Sequence, residues 1–80
     1  MAAKHTIMLY STPTCPYCHM TRDFFKENKI EYKDINVAQD HARAAEMVQK
    51  SGQTGVPVID IDGKIIVGFD KPALKKVLGL

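Results

Sequence analysis

Thr6-Ile7-Met8-Leu9-Tyr10, then Ser11-Thr12-Pro13-Thr14, then Cys15-Pro16-Tyr17-Cys18 form an apolar run, a turn and a spaced pair of thiols. The apolar run lacks helical periodicity and suits a strand buried on both faces. Turn formers at positions 11 to 14 break it. Pro16 has no backbone N–H and fits the first turn of a helix, where that donor would go unused. The helix is therefore expected to start at Cys15 or Pro16 and to run to about Asn28, burying Phe24 and Phe25.

Outward from this segment, Glu31 to Val37 sets Tyr32, Ile35 and Val37 among charged neighbours and reads as a second strand. Asp40 suits the N-cap of a helix through Ala44, Ala45, Met47 and Val48 that closes near Gly52. Val56 to Ile61 is a third strand. Asp62-Gly63 signals a two-residue hairpin, and Lys64 to Val67 returns as the fourth strand. Asp70 caps a last helix, with Pro72 in its first turn and Leu74, Val77 and Leu78 on its apolar side. The order β-α-β-α-β-β-α predicts an α/β fold in which the first two strands lie parallel and the hairpin antiparallel. The result is a four-stranded mixed sheet flanked by helices.

At 80 residues, the chain is expected to form one domain across 1–80 with a modest core. Its 45% hydrophobic and 25% charged residues are those of a globular protein. A net charge of +2 with no basic run longer than Lys75-Lys76 lacks the electrostatic footprint of a nucleic-acid binder. Met1 to His5 shows no apolar signal region, and no apolar stretch approaches the ~18 residues of a membrane span. A cytoplasmic protein without nucleic-acid or membrane partners is the expectation. In that compartment thiols are kept reduced, so two cysteines three positions apart point to catalysis, redox sensing or metal binding rather than to a structural staple.

Helix positions i and i+3 bring side chains within about 5–6 Å, inside the reach of a disulfide. Cys15 and Cys18 can therefore open and close a bond with little backbone movement. Cys15 lies at the helix mouth, where unpaired N–H groups favour an anion. The helix dipole contributes only about 0.3–2 kcal/mol, so a thiolate near neutral pH calls for direct donation from the N–H groups of Tyr17 and Cys18, or for a cation such as His19. Cys15 then serves as nucleophile and Cys18, one turn inside, as the resolving thiol. Other readings stay open. A zinc site lacks a second ligand pair, so no metal is expected, although His5 and His41 exist. Cys15 to His19 matches the haem-attachment pattern but has no export signal beside it. Two unreactive core cysteines remain the plainest alternative.

Cys15-Pro16-Tyr17-Cys18 after Thr12-Pro13-Thr14 resembles the active site of dithiol glutaredoxins. Thr54-Gly55-Val56-Pro57 resembles that family's Val-Pro signature, and Gly68-Phe69-Asp70 the turn before its last helix. The resemblance spans Thr6 to Leu78 and implies the thioredoxin fold. It also implies a cis Val56–Pro57 bond beside Cys15, with the Val56 backbone exposed to a thiol-bearing peptide. It further implies glutathione as co-substrate, its γ-glutamyl end held by the N–H groups of Phe69 and Asp70 beside Gly68, with Tyr17 bordering the groove. Disulfide-containing proteins or glutathionylated substrates become the partners of a chain expected to be monomeric.

Two positions depart from the family. Thr12 and Gln53 stand where many glutaredoxins carry cations that meet the glycine carboxylate of glutathione. Losing two such contacts is worth on the order of 1–3 kcal/mol. Val67-Gly68 and Val58-Ile59 also resemble glutaredoxin-like electron donors to ribonucleotide reductase, which take electrons from thioredoxin reductase. A glutathione-dependent iron–sulfur cluster carrier is a further alternative, against which Pro16 and Tyr17 count. A redox-sensitive binding module without turnover is another.

Overall fold

The computed structural model describes residues 5–80. Among them run β1 (Ile7–Ser11), α1 (Pro16–Glu27), β2 (Lys33–Asn36), α2 (His41–Ser51), β3 (Val58–Ile61), β4 (Lys64–Val67) and α3 (Lys71–Leu78). The order matches the sequence expectation. The strands form one sheet in the order β2-β1-β3-β4. β1 and β2 are parallel across α1, while β1–β3 and β3–β4 are antiparallel, so the sheet is mixed.

Side-chain alternation along the strands divides the core between two faces. Ile7, Leu9, Ile59, Ile61 and Ile66 face α1 and α3, meeting Phe24, Phe25 and Leu74. Tyr10, Ile35 and Val58 face α2, where Met47 is its buried residue. Tyr32 packs on the α1 side against Phe25, at 5.0 Å between ring centroids, so the apolar residues of the β2 segment serve both faces. Val48 of the same helix is exposed.

Three boundaries move. β1 extends through Ser11, read above as turn, because the Ser11 carbonyl accepts from the Val37 N–H at 3.0 Å and prolongs the parallel pairing. β2 shortens to four residues. β3 starts at Val58 rather than Val56, after a cis Val56–Pro57 bond. Since β3 lies between β1 and β4, Pro57 opens a central strand. The hairpin signal holds: Asp62 and Gly63 both take positive φ, at 52° and 91°, as a primed turn requires. Met1 to Lys4, part of the segment read for a signal sequence, lie outside the described residues.

Candidate active site

β1 ends on the sheet's central pair of strands, and the turn after it delivers Cys15 to the mouth of α1. The Cys15 N–H reaches the Thr12 carbonyl at 3.5 Å, closing that turn. Cys15 is the N-cap, extended at φ −85° and ψ 115°. Serine or aspartate oxygens usually fill this role. Here the thiol sulfur fills it, accepting the Cys18 N–H at 3.2 Å. The direct donation that the sequence called for thus comes from Cys18.

The two sulfurs occupy different environments. Cys15 is half-buried, whereas Cys18 is fully covered. Burial foremost, then the hydrogen bond with Cys15, pushes the Cys18 thiol up to about 12. The Thr12 N–H and the Arg22 charge oppose that rise. An accessible sulfur with an N–H donor therefore sits above a neutral, protected one, as stepwise thiol exchange requires.

The Val56–Pro57 loop faces this pair. The Cys15 thiol approaches the Val56 carbonyl at 3.9 Å. The Gly68 N–H donates to the Pro57 carbonyl at 2.8 Å, tying the third motif to the second. Gly68 has φ +76°, which a side chain would strain. Asp70 caps α3 by accepting the Ala73 N–H at 3.3 Å, while its own N–H goes to the Gly68 carbonyl at 3.1 Å. One of the two amides expected to meet a γ-glutamyl group is thus engaged within the turn. Phe69 turns its ring to Phe24, edge-on at 6.1 Å, and joins the core. Tyr17 is 61% exposed beside the dithiol.

Beside Thr12 and Val56 opens a groove of about 380 Å³, lined also by Val37, Ala44, Val48 and Thr54. No charged residue is among those that line it. Gln53, which stands where many glutaredoxins carry a cation for the glycine carboxylate of glutathione, is exposed and bonds through its backbone to the Ser51 hydroxyl at 3.1 and 3.3 Å, outside this lining.

His19 does not turn to the sulfur. Its Nε2 lies 3.0 Å from the Pro13 carbonyl and its Nδ1 3.2 Å from Arg22. Sequence reasoning passed over Arg22. It pairs with Asp34 of β2 at 2.7 Å, donates to the Ser11 hydroxyl at 2.7 Å, and sits one helical turn past Cys18. Ser11 in turn donates to Asp34 at 2.6 Å. Burial acts to raise the Asp34 carboxyl, but the Arg22 and Ser11 hydrogen bonds outweigh it and hold it below the usual range. The i+4 spacing from Cys18 was the available signal; the partner on β2 was not.

A model of the glutaredoxin family matches residues 7–66. An uncharacterised glutaredoxin-like 8.6 kDa protein in the rubredoxin operon of Clostridium pasteurianum is 50% identical over 72 residues, 90% of this chain and 96% of its own. Glutaredoxin 3 of Escherichia coli K12 is 33% identical over 64 residues, covering 80% of this chain and 77% of its own. The crystal structure of the thioredoxin-like protein BC3987 superposes with a TM-score of 0.86 at 29% identity, across 91% of this chain and 100% of that one. The fold is accordingly thioredoxin-like, and a family match over this span, on a chain whose dithiol, cis-proline loop and final turn converge in space, means that the protein belongs to the glutaredoxin family.

Proposed function

We propose that this protein, as a monomer of one domain in the reducing cytoplasm, reduces protein disulfides or glutathione mixed disulfides through Cys15 and Cys18. Family membership implies thiol–disulfide oxidoreductase activity through two cysteines. The observation that carries the finer reading is the pairing of an accessible N-cap sulfur with a buried one 3 residues on. The Cys15 thiolate attacks a substrate sulfur and expels the other as a thiol, leaving a mixed disulfide. Cys18 then loses its proton and attacks Cys15, the Cys15–substrate bond breaks, and the second thiol leaves. Two electrons pass from the dithiol to the substrate, and the chain ends as a Cys15–Cys18 disulfide.

The electron source is glutathione or thioredoxin reductase, and the groove favours the second. Its lining around Thr12 carries no cation to meet a glycine carboxylate, and Gln53 lies outside it. Apolar side chains of a protein partner suit Val37, Ala44 and Val48 better than a carboxylate does. This supports an electron donor, for example to ribonucleotide reductase, with weak glutathione use.

NADPH consumption by the oxidised protein tests the choice in two mixtures, one with glutathione and glutathione reductase, the other with thioredoxin reductase alone. Turnover in the second mixture only is expected. Turnover only with glutathione would overturn the preference for the reductase. Silence in both, with brown colour on anaerobic purification, would overturn the oxidoreductase reading in favour of a cluster carrier.

A further inference from the structure

The resolving step proposed above asks a covered thiol to become an anion. Burial penalises that anion heavily. With the thiol pushed up to about 12, the Cys18 thiolate is scarce at pH 7. Loading Cys15 into a mixed disulfide removes the hydrogen bond and charge that Cys15 imposes, but the burial remains. The Thr12 N–H and a fixed cation, Arg22, are the local aids that remain.

We propose that Arg22 is a positioning residue for resolution: clamped by Asp34 and Ser11 one helical turn beyond Cys18, it stabilises the thiolate that Cys18 must form. Residues four apart on a helix share a face, with about 5–6 Å between their Cβ atoms. A free surface arginine would spend its time in water, where its charge is screened. This one does not. Its side chain is 17% exposed, its Nε is 2.7 Å from Asp34, its Nη2 donates to the Ser11 hydroxyl at 2.7 Å, and its Nη1 is 3.2 Å from His19. Ser11 is itself fully buried and donates to Asp34 at 2.6 Å, so the clamp is anchored on two strands.

The charged groups that bear most on Cys18 are Cys15 at the helix mouth and Arg22 on α1. Asp34 of β2 acts from behind Arg22. Asp60 of β3 lies on the opposite sheet face, paired with Lys50 of α2. His19 is occupied by Pro13 and Arg22.

The inference rests on the assignment of Cys15 as nucleophile and Cys18 as resolving thiol. One reaction separates the two claims. A chromogenic aryl disulfide mixed with the reduced protein releases one coloured thiolate when Cys15 attacks and a second when Cys18 resolves the mixed disulfide. Stopped flow at several pH values follows both phases. Loss of the Arg22 charge raises the Cys18 thiol further and thins its thiolate population, while the stronger nucleophile recovers part of the rate. Arg22→Gln should therefore slow the second phase about three- to tenfold at pH 7. Its log-rate against pH should lie parallel to and below that of the parent. Arg22→Lys, which keeps the charge but not the fork, should return the second phase to within about twofold, even with the loss of thermal stability it shares with Arg22→Gln. An unchanged second phase in Arg22→Gln, equal slowing of both phases, or an Arg22→Lys chain as slow as Arg22→Gln would each overturn the proposal. Cys18→Ser checks the underlying assignment separately: it should keep the first phase and lose the second. A Cys18→Ser chain without a first phase would overturn the assignment itself, whatever Arg22 does.

Discussion

The backbone N–H of Cys18 donates to the sulfur of Cys15 at 3.2 Å, so the exposed thiol caps α1 through the residue whose own thiol lies buried. The cap makes the exposed sulfur a hydrogen-bond acceptor and the helix mouth its anion site. The covered sulfur beneath it gains no such help from the helix end.

Alkylation should follow that asymmetry. In the native reduced protein at pH 7, iodoacetamide should modify Cys15 faster than it modifies free cysteine. Cys18 should react only after denaturation, because it has no exposed surface. Peptide mapping by mass spectrometry reads both sites. Equal labelling of the two would show that the buried position is not protective.

Alkaline pH should destabilise the reduced protein through Cys18. Its folded-state thiol stands at about 12 against an ordinary 9.0, raised chiefly by burial. A group raised on folding contributes stability that is complete below the unfolded value and is lost as pH climbs towards the folded one. The reduced chain should therefore lose stability relative to Cys18→Ala between those two values and keep a constant difference below them. Urea midpoints across that range measure it, and a flat difference would contradict the burial argument.

Lys50 holds a polar cluster together under α2. It donates to Asp60 at 2.7 Å and to the Tyr10 hydroxyl at 2.9 Å, and Tyr10 also donates to Glu46. The hydrogen bonds to Asp60 and then Tyr10 hold the ammonium above its ordinary 10.5, so its contribution is complete below that value and lost only above it. Lys50→Met leaves the buried Asp60 without its cation and should cost about 1–3 kcal/mol in urea unfolding at neutral pH. Adding Asp60→Asn should recover much of that loss. A Lys50→Met chain as stable as the parent would show that water replaces the pair.

Cation placement in the groove should control glutathione use. Thr12→Lys puts an ammonium in the lining and should lower KM for a glutathione mixed disulfide about threefold to tenfold, as one charge-assisted contact allows. Gln53→Lys should change it little, because Gln53 lies outside that lining. Steady-state kinetics of the two variants side by side decide it; a larger effect from Gln53→Lys would relocate the subsite.

Asp70 serves α3 as a cap whatever its role towards glutathione. Asp70→Ala should cost about 0.5–2 kcal/mol, lowering Tm by several degrees, since about 1 kcal/mol shifts a domain of this size by about 4–8 °C. Asp70→Asn should melt near the parent, because it keeps the acceptor for the Ala73 N–H. If both variants melt alike, the cap is not what the carboxylate supplies.

Local chemistry made much of this legible from the chain. Pro16 opened α1, Asp40 and Asp70 capped their helices, Gly52 closed α2 at φ +76°, and Asp62-Gly63 turned the hairpin. Each depends on backbone groups within four residues, so sequence carries the information directly. The family resemblance extended it to the cis bond before Pro57. Strand ends were misplaced where pairing overrode turn propensity, as at Ser11, whose carbonyl is claimed by Val37.

The sequence by itself determined the order of elements, the dithiol and its place at a helix mouth, because these follow from short-range sterics and hydrogen bonding. Only the tertiary structure decided what stands around the sulfurs. The Val56 carbonyl reaches Cys15 across 41 residues, Asp34 clamps Arg22 from another strand, and Gln53 falls outside the groove. Those neighbours are set by how the sheet orders its strands and packs its helices, and no local propensity encodes the meeting of groups so far apart along the chain.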